Sequence, residues 1–223
     1  LFPFFLISMI LTRFNFKYKK LIHFLLIILT IFIIAISGER TALFYALLAI
    51  LICLITRNYF QKTIFFATLI SIIFLSISIN TNEFVKERLF NETKRQIVSS
   101  VESNYIISKY HDAHFNSAIT MFKDNFLIGV GPKNFRFECK KNQYHSQYAC
   151  STHPHNLYLQ LLSETGIFSF LFFIFFFIYA TVNIFILVFS KTLNEISNIK
   201  LFLFLSIFVN LWPLAPTGSV FNS

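Results

Sequence analysis

Apolar residues in this chain come in long runs separated by short polar breaks. The runs cover 1–12, 21–37, 41–56, 63–79, 166–190 and 201 to about 215. None has the polar face that a surface helix needs, so each is read as a helix lying in lipid or deep in protein. A run of roughly 17 residues gives ~25 Å of helix against a hydrocarbon core of ~30 Å, and flanking polar residues and Tyr make up the difference. The first run is short and is read as a truncated helix. The pattern predicts an all-α polytopic membrane protein with about six transmembrane helices.

One long polar stretch, 80–165, interrupts this pattern. Residues 81–104 are mixed in charge and weakly periodic, and no element is assigned to them. Further on, Phe115, Ile119, Phe122 and Phe126 recur at i, i+4, i+7 and i+11, which makes one apolar face of a helix. Gly129, Gly131 and Pro132 end it. The loop therefore has structure of its own and lies on the membrane surface or caps the bundle. Thr152-His153-Pro154-His155-Asn156 follows, directly before a short amphipathic run and Gly166. Proline stiffens the backbone on both sides, Asn156 is placed to cap the helix after it, and Gly166 to end that helix.

Composition agrees. Of 223 residues 56% are hydrophobic and only 13% charged, about half the charged share of a soluble domain. The chain begins inside one apolar run and stops just after another, so it is read as a fragment. Its expected parts are 1–79 (membrane helices), 80–165 (the loop), 166–217 (two further membrane helices) and 218–223 (a truncated C-terminus). The net charge of +9 does not report nucleic-acid binding, because residues 81–165 are nearly balanced, with ten Lys/Arg against eight Asp/Glu. The rest of the basic charge sits mostly in short loops. Residues 13–20, 57–62 and 191–200 carry four, two and two Lys/Arg, whereas 37–40 carries only Arg40. The positive-inside rule puts the first set in the cytoplasm and the large loop outside it. There, Cys139 and Cys150 are expected to form a disulfide. Cys53 lies in an apolar run and reads as a small buried or lipid-facing hydrophobe.

Several residues could carry chemistry. Five of the six histidines lie in the large loop: His111, His114, His145, His153 and His155. His153 and His155 read as a general base near neutral pH, or as loop and headgroup hydrogen-bonders. A metal site is the rival reading, with His111, Asp112, His114, His153 and His155 as ligands. Neither histidine pair has the i, i+4 spacing of a helical zinc motif, and no Asp-x-Asp is present to hold Mg²⁺. Arg40, beside Gly38-Glu39 at the outer end of a membrane helix, either snorkels, pairs with Glu39, or binds an anion through its planar fork. The segment 129–136, with Lys133 and Arg136, reads as a turn or as a weak anion-binding nest. Glu164 reads as a carboxylate that orients a histidine, or as a solvated residue.

Together these residues resemble the O-antigen ligase and polymerase family of bacterial envelope glycosyltransferases. The matching pieces are Ser37-Gly38-Glu39-Arg40-Thr41, the stretch Phe122-Lys123-Asp124-Asn125-Phe126-Leu127-Ile128-Gly129-Val130-Gly131-Pro132-Lys133-Asn134-Phe135, and His153-Pro154-His155-Asn156 through Leu161, Glu164 and Gly166. Their order and topology match over about Leu21 to Gly218, the C-terminal half of such a protein. The resemblance implies a multi-pass protein of the bacterial inner membrane with a periplasmic active-site loop. It implies metal-independent transfer, without cofactor, of a glycan from a polyprenyl diphosphate carrier to an acceptor hydroxyl on lipid A-core or on a growing glycan. By the same resemblance His155 is the base with His153 second, Arg40 holds the donor diphosphate, and Asn156 and Glu164 support the site. The family's usual second arginine, before the loop helix, is replaced here by Tyr110-His111-Asp112-Ala113-His114. Either His111 takes its place, or Arg136 reaches in, or the donor is held differently. A transporter, or a non-enzymatic membrane protein with a disulfide-stapled outer loop, is the alternative. It would need polar residues along several spans, and these spans hold few.

Overall fold

Long stretches of Leu, Ile and Phe bring no polar side chains to satisfy the backbone, so in lipid the backbone must pair with itself, and a helix does this locally. Every regular element among the described residues is a helix. The computed structural model describes residues 2–14, 17–103, 108–190, 193–214 and 218–221. Expectations resting on Leu1, Lys191, residues 215–217 and residues 222–223 lie outside them. The helices are α1 (Phe2–Arg13), α2 (Lys19–Ser37), α3 (Arg40–Ile55), α4 (Gln61–Thr81), α5 (Glu83–Lys86), a π-helical turn (Glu87–Asn91), α6 (Glu92–Ser103), α7 (Lys109–Asp124), α8 (Phe135–Glu138), α9 (Leu157–Val188) and α10 (Glu195–Asn210). Within the stretch 81–104, unassigned from sequence, residues 83–103 are thus helical.

Among the described residues, three helices are long and apolar enough to cross a membrane: α2, α4 and α9. Only 28% of the α2 span and 17% of each of the other two is buried inside the protein, so most of this apolar surface faces outward. A water-soluble protein does not leave so much apolar area bare. The chain is a membrane protein.

Two compact units are present: residues 1–93 with 177–210, and residues 94–176 with 211–223. In the first, Ile27, Ile31, Ile34 and Ala35 of α2 turn inward, as do Ala46, Ala49, Ile50 and Cys53 of α3 and Ile64 and Ala67 of α4. The alanines let helix backbones approach closely, which supplies packing that lipid cannot. Leu25, Leu29, Ile33, Ile36, Phe66, Ile73 and Ile77 point outward. His23 is buried, stacks on Phe60 with ring centroids 4.2 Å apart, and meets the Ser8 hydroxyl at 3.1 Å. Asn198 accepts the Tyr59 N–H at 2.9 Å and so ties the start of α10 to the turn before α4. Between α2 and α3, Gly38 takes φ 66°, where its N–H caps Ile34 and Ala35. The chain then turns directly into Arg40, the first residue of α3.

In the second unit, Ala118, Met121, Phe135, Cys139 and Tyr144 form one core cluster, and Leu157, Tyr158 and Leu161 another. The inward face of α7 is His114, Ser117, Ala118 and Met121. The apolar series read from the sequence is the other side of that helix, since Ile119 and Phe126 are exposed. Asn156 caps α9, its Oδ1 accepting the N–H groups of Tyr158 at 3.0 Å and Leu159 at 3.1 Å. Gly166 interrupts α9 with φ 76° and ψ −167°, and the helix resumes to Val188. The expected helix end is therefore a break between two helical segments. Ideal Cβ atoms on Gly129 and Gly166 would collide with the backbones of Glu164 and Leu127, so glycine is required at both.

Candidate active site

The second unit gathers four imidazoles. His111 and His114 lie three residues apart on α7, and so on one side of it. His153 and His155 come from the stiff segment before α9. The His155 ring centroid is 4.2 Å from that of His153, 5.4 Å from that of His114 and 5.9 Å from that of His111. Thus His155 is in ring contact with all three of the others.

Each ring is steered by a neighbour. His155 Nε2 lies 2.9 Å from Ser151 Oγ, His153 Nδ1 2.9 Å from Thr152 Oγ1, and His111 Nδ1 2.8 Å from Ser108 Oγ. Ser108 also caps α7 by accepting the His111 N–H at 3.4 Å. His114 is buried, and its Nδ1 has no hydrogen-bond partner among the described residues. His155 holds φ 60°, a left-handed conformation that is unfavourable for any residue with a Cβ. The next residue is anchored twice, since the Asn156 amide both caps α9 and donates to Pro213 O at 2.8 Å. That anchoring is what holds His155 in its unfavourable conformation.

Burial and crowding push His155, His114 and His111 toward the neutral form. The His155 pKa is pushed down to about 4, first by burial and then by the neighbouring His153, His114 and His111. His114 is lowered by burial and by His111 and His153, against a hydrogen bond to the Tyr148 backbone. His111 is lowered by burial, with Asp112 opposing. A neutral imidazole keeps a lone pair that can accept a proton, and a lowered pKa makes it a weaker base than an ordinary histidine. Among the described residues no three His, Cys, Asp or Glu side chains converge as metal ligands.

The remaining candidates are placed as follows. Arg136, in α8, has its Nε buried without a hydrogen-bond partner among the described residues. Arg40 belongs to the first unit. The turn 129–136 is not an anion nest: the N–H groups of Val130, Gly131 and Phe135 are taken by Ser163 O, Glu164 O and Glu164 Oε1 at 2.8, 2.9 and 3.0 Å. Glu164 is neither solvated nor bonded to a histidine. It is fully buried, with Oε1 on Phe135 N–H and Oε2 accepting the Gln160 amide at 2.9 Å. Through the Phe135 N–H it ties the start of α8, the helix that carries Arg136, to α9. Cys139 and Cys150 are disulfide-bonded, with Cα atoms 5.3 Å apart, and Cys53 is a buried free thiol.

Sequence reasoning did not single out Ser108, Ser151 or Gln160. Gln160 is buried and binds the C-terminal segment, accepting the Val220 N–H at 3.0 Å and donating to Ser219 Oγ at 3.1 Å. Tyr158 adds a bond from its hydroxyl to Leu211 O at 2.7 Å. The only local signal for this was a polar residue among apolar ones, four positions before Glu164. His114 had a clearer signal, as it shares a helix side with His111.

A family model described as O-antigen ligase matches residues 25–174, a stretch that contains Arg40, Arg136 and all four clustered histidines. No curated protein and no solved structure matches the chain.

Proposed function

The chain belongs to the O-antigen ligase family, and on that premise we propose that it transfers a glycan from a polyprenyl diphosphate carrier to an acceptor hydroxyl. The acceptor is lipid A-core, as for a ligase, or a growing glycan, as for a polymerase. The observation that carries this reading is His155, a neutral imidazole held in an unfavourable backbone conformation at the centre of four histidines. It lies within the stretch that matches the family.

In the proposed reaction the acceptor oxygen forms a bond to the anomeric carbon of the donor sugar while the bond to the diphosphate oxygen breaks. His155 removes the hydroxyl proton, and the polyprenyl diphosphate leaves with the bonding electron pair. His153 orients the acceptor or His155. Arg40, Arg136 and His111 are the candidates to hold the diphosphate and offset its growing charge. A bound diphosphate also raises the pKa of a nearby imidazole, strengthening the base once substrate is in place. The donor already carries a good leaving group, so the reading needs neither metal nor cofactor. It places the protein in the bacterial inner membrane with about six spans and with 80–165 as a periplasmic loop.

The test is expression of the full-length gene in a ligase-null and in a polymerase-null strain, read on the lipopolysaccharide ladder. Restoration of capped core in the first strain, or of ladder length in the second, supports transfer and names the acceptor. No change in either strain, with the protein in the membrane, counts against it.

A further inference from the structure

Near its start, the connection between α7 and α8 carries three consecutive apolar residues that point away from the protein. Phe126, Leu127 and Ile128 are 51%, 57% and 77% exposed. Phe122 packs its ring on Phe126 with centroids 5.1 Å apart, and exposed Ile119 continues the apolar side back along α7. A contiguous apolar patch of this kind marks a surface with an apolar partner.

This tip is fixed to the start of a membrane helix. Phe126 O accepts the Ile167 N–H at 3.0 Å, and Val130 and Gly131 donate to Ser163 O and Glu164 O. Gly129 and Gly166 bring the two backbones so close that a Cβ fits on neither. Ile167 begins the apolar part of α9, which runs to Val188, about 22 residues or ~33 Å, enough to cross a bilayer. The first outward side chains of that part, Phe168, Leu171 and Phe172, are all more than half exposed, as lipid-facing residues are. The tip thus sits beside the first residue of the apolar part of α9. Exposed Lys123 and Lys133 flank it, suited to anionic headgroups, with Asp124 as the opposing charge.

We infer that Phe126-Leu127-Ile128 is a membrane wedge, inserted into the bilayer beside the start of the α9 span and holding α7 at the interface. Its partner is lipid. The wedge would hold the α7 histidines at a fixed height above the acyl layer.

Depth measurement by spin labelling tests this. In the full chain with Cys53→Ala and the Cys139–Cys150 disulfide left oxidised, Ile128→Cys and, separately, Leu127→Cys are spin-labelled and reconstituted in phosphatidylglycerol-containing vesicles. Phe168→Cys serves as the lipid reference and Asn142→Cys as the aqueous one. Both tip labels should show several-fold greater collision with oxygen than with a water-soluble nickel chelate, as at position 168. Nickel accessibility at both tip positions equal to that at 142 would overturn the inference. So would dipolar broadening that disappears on dilution with unlabelled chain, because a second copy would then cover the patch.

Discussion

His155 combines two features: a left-handed backbone on a residue with a side chain, and an imidazole pushed toward its neutral form by burial. The second feature has a consequence for stability. The folded pKa of about 4 lies below the ordinary 6.5, so as acid is added the unfolded chain binds the proton first. The stability contributed by the neutral ring is present above about pH 6.5 and is lost as pH falls toward 4. His111 and His114 are shifted in the same direction. The melting temperature of the detergent-solubilised protein should therefore fall between pH 7 and pH 4, and His155→Gln should flatten that fall. A melting temperature that rises over this range would contradict the burial of the cluster. Arg40 is tested by chemistry of shape. If it clamps a diphosphate, Arg40→Lys should lose most transfer activity, because an ammonium does not reproduce the planar fork. Near-normal transfer at equal protein level would remove Arg40 from the site.

At the scale of elements, the break in α9 and the turn before α8 are joined through Glu164 and two glycines. Replacing Glu164 by Leu leaves the buried Phe135 N–H without its acceptor, at about 1–3 kcal/mol, and removes one of the two acceptors of the Gln160 amide, which keeps Ser219 Oγ. Glu164→Gln retains an acceptor oxygen and should cost less. Thermal melting of the two variants should rank them in that order, and equal stability of Glu164→Leu and wild type would show that these bonds do not matter. Much of this level was legible in the sequence. Uninterrupted apolar runs located helices, the three long candidate spans among them, Asn156 marked a helix start, Gly166 marked the place where that helix is interrupted rather than ended, and His153-Pro154-His155 marked the segment that meets the α7 histidines. The outward side of α7 was harder. Its phenylalanines form a periodic series that looks like a core face, while the packed face uses small and polar residues whose partners come from distant segments. Glu164 was misjudged for the same reason. Its partners are a backbone N–H in another element and an amide four residues away, and only the first explains why it is buried.

For the molecule as a whole, the proposed chemistry depends on where the large loop lies. Residues 80–165 are proposed to be periplasmic, an oxidising compartment in which the Cys139–Cys150 bond persists. On the chain-entropy view so short a closed loop restricts the unfolded chain by about 3 kcal/mol. Thiol labelling of unreduced, denatured membranes should find Cys53 alone. Labelling of Cys139 would argue against the bond and against the proposed side of the membrane. The proposed absence of a metal is tested at the same scale, since exhaustive chelation should leave transfer intact. Loss with EDTA and recovery with zinc would turn the histidine cluster into a metal site.

The most direct test is glycan transfer by the full-length protein, with His155→Ala measured beside wild type and His153→Ala at matched levels in the membrane. A general base contributes about 10²–10⁴-fold, so His155→Ala should fall by that factor or below detection while His153→Ala keeps part of its activity. Full activity in His155→Ala, with none in His153→Ala, would mean that the other imidazole takes the proton, and full activity in both would contradict histidine base catalysis in this protein.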